Sequence, residues 1–226
     1  QTMELENLVS YLFRWIHFFA GITWVGILYY FNFVQTEFFK ETDAGTKSAA
    51  IAKLVPRALW WFRWGAMATF LSGLALAGFM GGAINFYITI AMLMGTIMFL
   101  NVWLIIWPNQ QVVIASAEQV IGGGEALPEA AGALAKAGLA SRTNTLFSLP
   151  MLFFMGASSH LASLGQVPMS SVGGVSELAM GLCLLIVLAL ETNAIKGKTG
   201  PMTSVVGVIH CGIALGVVML LIMELL

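Results

Sequence analysis

The feature that most constrains this chain is a set of about six stretches, each near twenty residues long, that are apolar and almost free of charge. Crossing roughly 30 Å of hydrocarbon takes about 20 apolar residues in a helix, because there every backbone N–H and C=O is satisfied inside the segment. The stretches lie near residues 8–33, 59–80, 84–107, 145–165, 177–195 and 203–225. The sequence therefore predicts an all-α, integral membrane bundle of about six transmembrane helices. Composition agrees: 59% of residues are hydrophobic and 9% charged, against roughly 25% charged in soluble domains. The lipid bilayer is the implied solvent.

Between the stretches the chain is short. Gly81-Gly82 and Gly200-Pro201 predict tight turns between antiparallel neighbours. Two longer loops are expected, at 38–56 and 109–142. In the second, Gly122 to Gly124 break the helix, and Pro128 can start a short amphipathic one on the membrane surface. No internal repeat is evident, so residues 1–226 read as a single membrane domain. The amino end is short and acidic, which predicts an anchored first helix in place of a signal peptide. Basic residues gather on one side: Lys40, Lys47, Lys53, Arg57, Arg63, Lys136, Arg142, Lys196 and Lys198. The positive-inside rule makes that side cytoplasmic and puts both termini on the outer, periplasmic side of a bacterial inner membrane.

Several function classes drop out. Net charge is −1 with no basic cluster, so nucleic acid is not an expected partner. Cys183 and Cys211 sit in apolar runs, and no Cys-x-x-Cys-His occurs, so neither disulfides nor covalent haem are encoded. Patterns for hydrolases, P-loops and zinc sites are absent.

Ionisable residues at bilayer depth are functional candidates by default. All three histidines, His17, His160 and His210, fall inside the apolar stretches. Gly21 and Trp24 follow His17 at i+4 and i+7, so a ring, a notch and an indole share one helix face where a flat cofactor could lie. Counted from helix midpoints, His17 and His160 come out at one level, about 6 to 8 Å toward the outer face, with His210 about 5 Å toward the other. Two imidazoles facing each other across helices suit a six-coordinate haem b, and Arg14, one turn before His17, suits a propionate. The metal-ligand candidates are thus His17, His160 and His210, and the cofactor candidates His17, His160, Arg14, Gly21 and Trp24. The competing reading is that each histidine simply hydrogen-bonds a neighbouring helix. Copper is weaker, since the Met residues show no Met-x-x-Met cluster. Trp60-Trp61-Phe62-Arg63-Trp64 reads as an interfacial aromatic belt with Arg57 and Arg63 reaching headgroups. Asn101, Trp103, Trp107 and Asn109 can line a cavity or bridge helices; Thr143 or Asn144 can cap the fourth helix, which Pro150 then kinks.

Longer strings add a resemblance. Arg14-Trp15-Ile16-His17 with Ala20 to Gly26, Pro56 to Gly65, Asn101-Val102-Trp103 with Ile106 to Gln110, and Ser141 to Thr145 leading to His160 together resemble the membrane domain of the PuuD-type, cytochrome-linked urate oxidases. The resemblance implies a membrane redox protein passing electrons from substrate to a c-type cytochrome. Those proteins carry a cytochrome c domain after the membrane region, whereas this chain holds no Cys-x-x-Cys-His, so a separate cytochrome or other membrane subunits become the expected partners. Two functional expectations follow: a urate-oxidase-like protein carrying haem b and feeding a c-type cytochrome or the respiratory chain, or a non-catalytic accessory subunit of a larger membrane complex.

Overall fold

A computed structural model describes residues 2–161 and 176–226, and among these the chain is essentially all helical. α1 (Thr2–Tyr29) passes through a π-helical segment (Tyr30–Gln35) into α2 (Thr36–Glu41), followed by α3 (Ala44–Lys53) and α4 (Val55–Met80). α5 (Phe86–Leu100) passes through a second π segment (Asn101–Ile106) into α6 (Trp107–Ile121). The long α7 (Ala130–His160), then α8 (Glu177–Lys196) and α9 (Val205–Leu225) complete the described chain.

Five of these stretches are long and apolar enough to cross a membrane: Glu4–Glu41, Val55–Ala83, Phe86–Ile121, Glu177–Lys196 and Val205–Leu225. The protein is a multi-pass membrane protein by that measure. α7 is not among the five, because its apolar part among the described residues runs only over 145–160. The remainder of the expected fourth span, 162–165, lies outside the described residues.

Helix boundaries differ from the sequence reading in four places. The loop expected over 38–56 is mostly α2 and α3, because Asp43 caps α3 by accepting from the Thr46 amide at 3.0 Å. Pro56 sits in the first turn of α4, where a missing N–H costs nothing, so that helix starts a turn earlier than expected. The loop expected from 109 is helix as far as Ile121. Pro108 would ordinarily break it, but the π segment before it widens the turn where the proline ring would clash. α7 in turn runs unbroken through Arg142-Thr143-Asn144, which therefore cap nothing. The Thr143 and Thr145 hydroxyls instead donate back to the carbonyls of Leu139 and Ser141, at 3.1 and 3.0 Å.

α7 is the hub of the packing, touching α5, α6, α8 and α9, while α1 pairs mainly with α4. Glycines allow two close approaches. A Cβ on Gly65 of α4 would stand 3.2 Å from the Trp24 amide nitrogen and 3.4 Å from the Ala20 carbonyl of α1. One on Gly212 of α9 would stand 3.0 Å from the Leu146 carbonyl of α7. Such small-residue contacts are how helices associate in lipid, where burial of apolar surface gives no driving force. Phe62, Tyr87, Met94, Met98, Phe147, Phe154, Val187 and Met219 fill the interior, with Phe70 and Phe99 stacked at 4.3 Å between centroids. Large apolar side chains also cover the outside, among them Phe18, Phe19, Ile22, Leu104, Leu185 and Leu221, a surface made for acyl chains.

Candidate functional site

Polar side chains inside the bundle converge on α7. Asn144, fully buried, accepts from Asn101 Nδ2 at 2.9 Å and donates from Nδ2 to the Met98 carbonyl at 2.9 Å. Asn101 Nδ2 also donates to Glu191 Oε2 at 3.0 Å, so three helical segments meet at one amide–amide–carboxylate cluster. One turn to either side of Asn144 along α7, Asn32 donates to Ser141 Oγ at 2.8 Å and the Tyr29 hydroxyl pairs with Ser148 Oγ at 2.8 Å. At the opposite end, Asn85 Nδ2 donates to the Ser158 carbonyl at 2.9 Å and the Tyr87 hydroxyl donates to the Glu224 carboxylate.

Both π segments take part in this arrangement. Asn32 and Asn101, one in each, are the residues that reach α7. π turns bond i to i+5 and mark single widened turns inside α-helices. Side chains add donors around them: Thr36 Oγ1 donates at 2.7 Å to the Phe31 carbonyl, which also accepts from the Thr36 amide, and Asn109 Nδ2 donates to the Ile105 carbonyl at 2.7 Å. The expectation that Asn101 bridges helices or lines a polar cavity resolves into a bridge. Glu191 was not singled out from sequence, although a carboxylate inside an apolar window was signal enough.

Two arginines depart from the simple surface reading. The Arg63 guanidinium lies 3.4 Å from the Trp107 ring centroid and 5.5 Å from that of Trp103, a cation–π stack joining α4 to the α5–α6 helix while the side chain stays partly exposed. Trp60, Trp61 and Trp64 are exposed, as a belt would be. Arg142 is only 6% exposed, and its Nη1 has no hydrogen-bond partner. Among the described residues the ion pair present joins Lys40 and Glu37 at 2.8 Å, so Arg142 has no carboxylate at salt-bridge distance. Gln35 Oε1 and the indole nitrogens of Trp24 and Trp103 are likewise buried without partners.

The histidines are not brought together. His17, on α1, is half-buried against α4, where Nδ1 donates to the Thr69 carbonyl at 2.9 Å and lies 3.1 Å from Ser72 Oγ. Ser72 itself donates to the Ala68 carbonyl at 2.6 Å, so both partners of Nδ1 act as acceptors; Nδ1 carries the proton and Nε2 keeps its lone pair. His160 is the exposed last residue of α7, two residues past Ser158 and therefore level with Asn85 just beyond the α4–α5 turn. Gly73, whose Cβ would come 3.1 Å from His17 Cε1, is about 10 Å deeper along α4. The equal depth counted from helix midpoints is thus not kept, because α7 stops at His160. His210 is exposed on α9, and Arg14 is exposed on α1.

The face bearing Gly21 and Trp24 is not an open notch either. Thr69 Cγ2 stands 3.9 Å from where a Gly21 Cβ would be, and Trp24 is buried against Gly65, so α4 fills the space. Among the described residues no group of three or more His, Cys, Asp or Glu side chains gathers to hold a metal ion. For haem b the fit is that of one residue: a histidine whose Nδ1–H is bound to a backbone carbonyl has its Nε2 set for iron. The His17–His160 pair does not form the other half of such a site.

The geometry can be set beside known proteins. No curated protein and no protein of solved structure matches the chain. A family described as urate oxidase N-terminal matches residues 79–219, which contain α5, the three helical segments that build the Asn101–Asn144–Glu191 cluster, and most of α9. That stretch is more than half of the chain, and the resemblance carried by the long sequence strings points the same way. The chain belongs to the urate oxidase N-terminal family.

Proposed function

We propose that this chain is the membrane part of a urate-oxidase-like redox system in a bacterial inner membrane, taking electrons from a purine anion and passing them to a c-type cytochrome or another respiratory acceptor. The observation that carries the reading is the family match, which falls on the helices that enclose the buried polar cluster. In this reading Glu191 takes a proton released as the purine is oxidised, while Asn101, itself bonded to Asn144, holds its carboxylate in place. The acceptor takes the electrons. Detergent-purified protein given urate and oxidised cytochrome c should reduce the cytochrome, and Glu191→Gln should slow turnover about 10²-fold with KM little changed. No reduction by wild type with any c-type cytochrome or quinone would remove the catalytic reading.

Haem b belongs to this proposal with His17 as its one named ligand, through Nε2. The group would supply one-electron transfer; the chain would supply the ligand nitrogen and, through Thr69, its orientation. A reduced visible spectrum with a sharp α-band that is lost in His17→Ala is the expected result. A featureless spectrum from protein purified gently from its own membrane would leave His17 as a strut between α1 and α4.

The proposed topology has six crossings, with α7 as the fourth and the basic side cytoplasmic. Hydrogen bonds from α7 to Asn101 near one end of α5 and to Asn85 at the other support a helix that runs the depth of the bundle. The accessory-subunit reading is favoured by one observation: His160 and His210 are exposed on a surface otherwise made for lipid, where a polar ring calls for a partner chain. Co-purification of a membrane complex together with absent urate activity would select it.

A further inference from the structure

The outward face of α4 carries a cation and a run of indoles that the polar cluster around Asn144 does not use. Lys53, at the end of α3, lies four residues before Arg57, and Trp60, Trp61, Trp64 and Leu71 follow Arg57 at i+3, i+4, i+7 and i+14, so the six form one stripe along the helix. On the opposite face Leu59, Phe62 and Ala66 are buried in the bundle, whereas Trp60, Trp61, Trp64 and Leu71 are 48, 56, 46 and 55% exposed. Pro56, Arg57, Trp60 and Trp61 line an open cleft of about 400 Å³, in which the two indoles meet edge to face at 5.0 Å between centroids. The cleft lies where α3 gives way to α4. There the Arg57 amide turns to the Leu54 carbonyl at 3.1 Å, and the Lys53 carbonyl, which an unbroken helix would have paired with that amide, accepts from Arg57 Nη1 at 3.0 Å. Among the described residues this is the hydrogen bond the guanidinium makes; it fixes the side chain at the rim and leaves the other donors of its fork open to a ligand. α3 and α4 together hold Lys47, Lys53, Arg57 and Arg63 and no Asp or Glu, and Arg63 is engaged by Trp107 on another face.

We infer that this cleft binds the headgroup of an anionic glycerophospholipid, with its phosphodiester oxygens on Arg57 and Lys53, its glycerol esters against Trp60 and Trp61, and an acyl chain along Trp64 and Leu71. Charge complementarity sets the sign of the ligand, and the planar guanidinium fork matches phosphate oxygens in pairs. The length of the stripe selects a lipid over a free phosphate. Arg57 to Leu71 spans about 21 Å of helix, close to half of the roughly 40–45 Å that a bilayer measures with its headgroups. Over that depth the stripe passes from cationic to aromatic to aliphatic, in the order in which one leaflet passes from headgroup to ester to chain. A zwitterionic lipid brings its own cation up to Arg57 and Lys53, which repel it. The site lies outside residues 79–219, which the family match covers, and does not rest on the proposed function.

The test reconstitutes the full chain in phosphatidylcholine vesicles and titrates in dibrominated phosphatidylglycerol or, in parallel, dibrominated phosphatidylcholine, whose bromines quench nearby indoles. Half-maximal quenching should come at a mole fraction at least about fivefold lower for phosphatidylglycerol, since one basic residue near the surface is worth about that factor toward an anionic lipid. Arg57→Gln, at an exposed position, should lower the preference about fivefold, and the Lys53→Gln/Arg57→Gln double variant should remove it. Trp60→Phe with Trp61→Phe should remove the part of the quenching that phosphatidylglycerol adds. Lys196→Gln, exposed on the same basic side but on α8, should leave the preference unchanged. No preference in wild type, or one that Arg57→Gln leaves intact, overturns the site. Equal losses in Arg57→Gln and Lys196→Gln also overturn it, because they report a diffuse surface potential. Abolition of the preference by inorganic phosphate at matched ionic strength would show a free-phosphate site and overturn the lipid.

Discussion

Asp43 shows how much one side chain at a helix end can do. Its carboxylate accepts from Thr46 Oγ1 at 2.6 Å and from the Thr46 amide at 3.0 Å, and these bonds hold its pKa below the ordinary carboxylate range. A depressed folded-state pKa means that the cap's contribution is fully present above about pH 4 and is lost as pH falls through the lower, folded value. Asp43→Ala should therefore lower amide protection factors across Thr46 to Ala50 at pH 7. The difference from wild type should shrink below pH 4; a difference that persists in acid would show that the cap is not ionic. Gly65 makes the same point inside the bundle. An added methyl would meet main-chain atoms of α1 that cannot rotate aside, so Gly65→Ala should cost about 1–3 kcal/mol in detergent unfolding experiments. An unchanged unfolding midpoint would mean that the α1–α4 pair is not as close as described.

At the scale of elements, the two π segments and the unbroken α7 matter most. Asn144 is where α7 and the α5–α6 helix are tied, by one accepted and one donated bond. Hydrogen bonds in membrane proteins contribute modestly, so Asn144→Leu should cost about 1–2 kcal/mol. It should also free Glu191 of a positioned partner, which a shift in the carboxylate infrared band of Glu191 would report. No shift would mean that Asn101 alone holds that carboxylate. Gly212→Val tests the other face of α7: its new side chain would run into Leu149 and the Leu146 carbonyl, separating α9 from α7. Loss of thermal stability comparable to or larger than that of Gly65→Ala is expected, measured in the same detergent. These elements were partly legible. α8 and α9 nearly coincide with the stretches read from hydropathy, because their ends carry Ser176 and Ser204 caps just outside apolar runs. α6 and the first half of α7 were not, because Pro108 and the Arg142-Thr143-Asn144 string look like helix boundaries until a π turn and a neighbouring helix satisfy them.

For the whole molecule, the proposed orientation makes a direct prediction. In intact spheroplasts a membrane-impermeant maleimide should label Glu6→Cys and leave Lys136→Cys unlabelled, with Cys183 buried and silent in both. The reverse pattern would put the basic side outside. Composition and the spacing of apolar stretches were sufficient, without any structure, to establish a helical membrane protein, because the hydrocarbon core allows few solutions to backbone hydrogen bonding. The long aromatic and polar strings were sufficient to find the family. Which polar residues meet was a different matter: a depth counted from helix midpoints shifts with the helix ends, and it says nothing about which faces turn toward each other. His17 therefore pairs with α4 instead of His160, Arg63 stacks on Trp107, and Glu191 finds Asn101 across a gap of ninety positions. Those pairings depend on helix rotation and close approach at single glycines, quantities that only the packed tertiary structure decides.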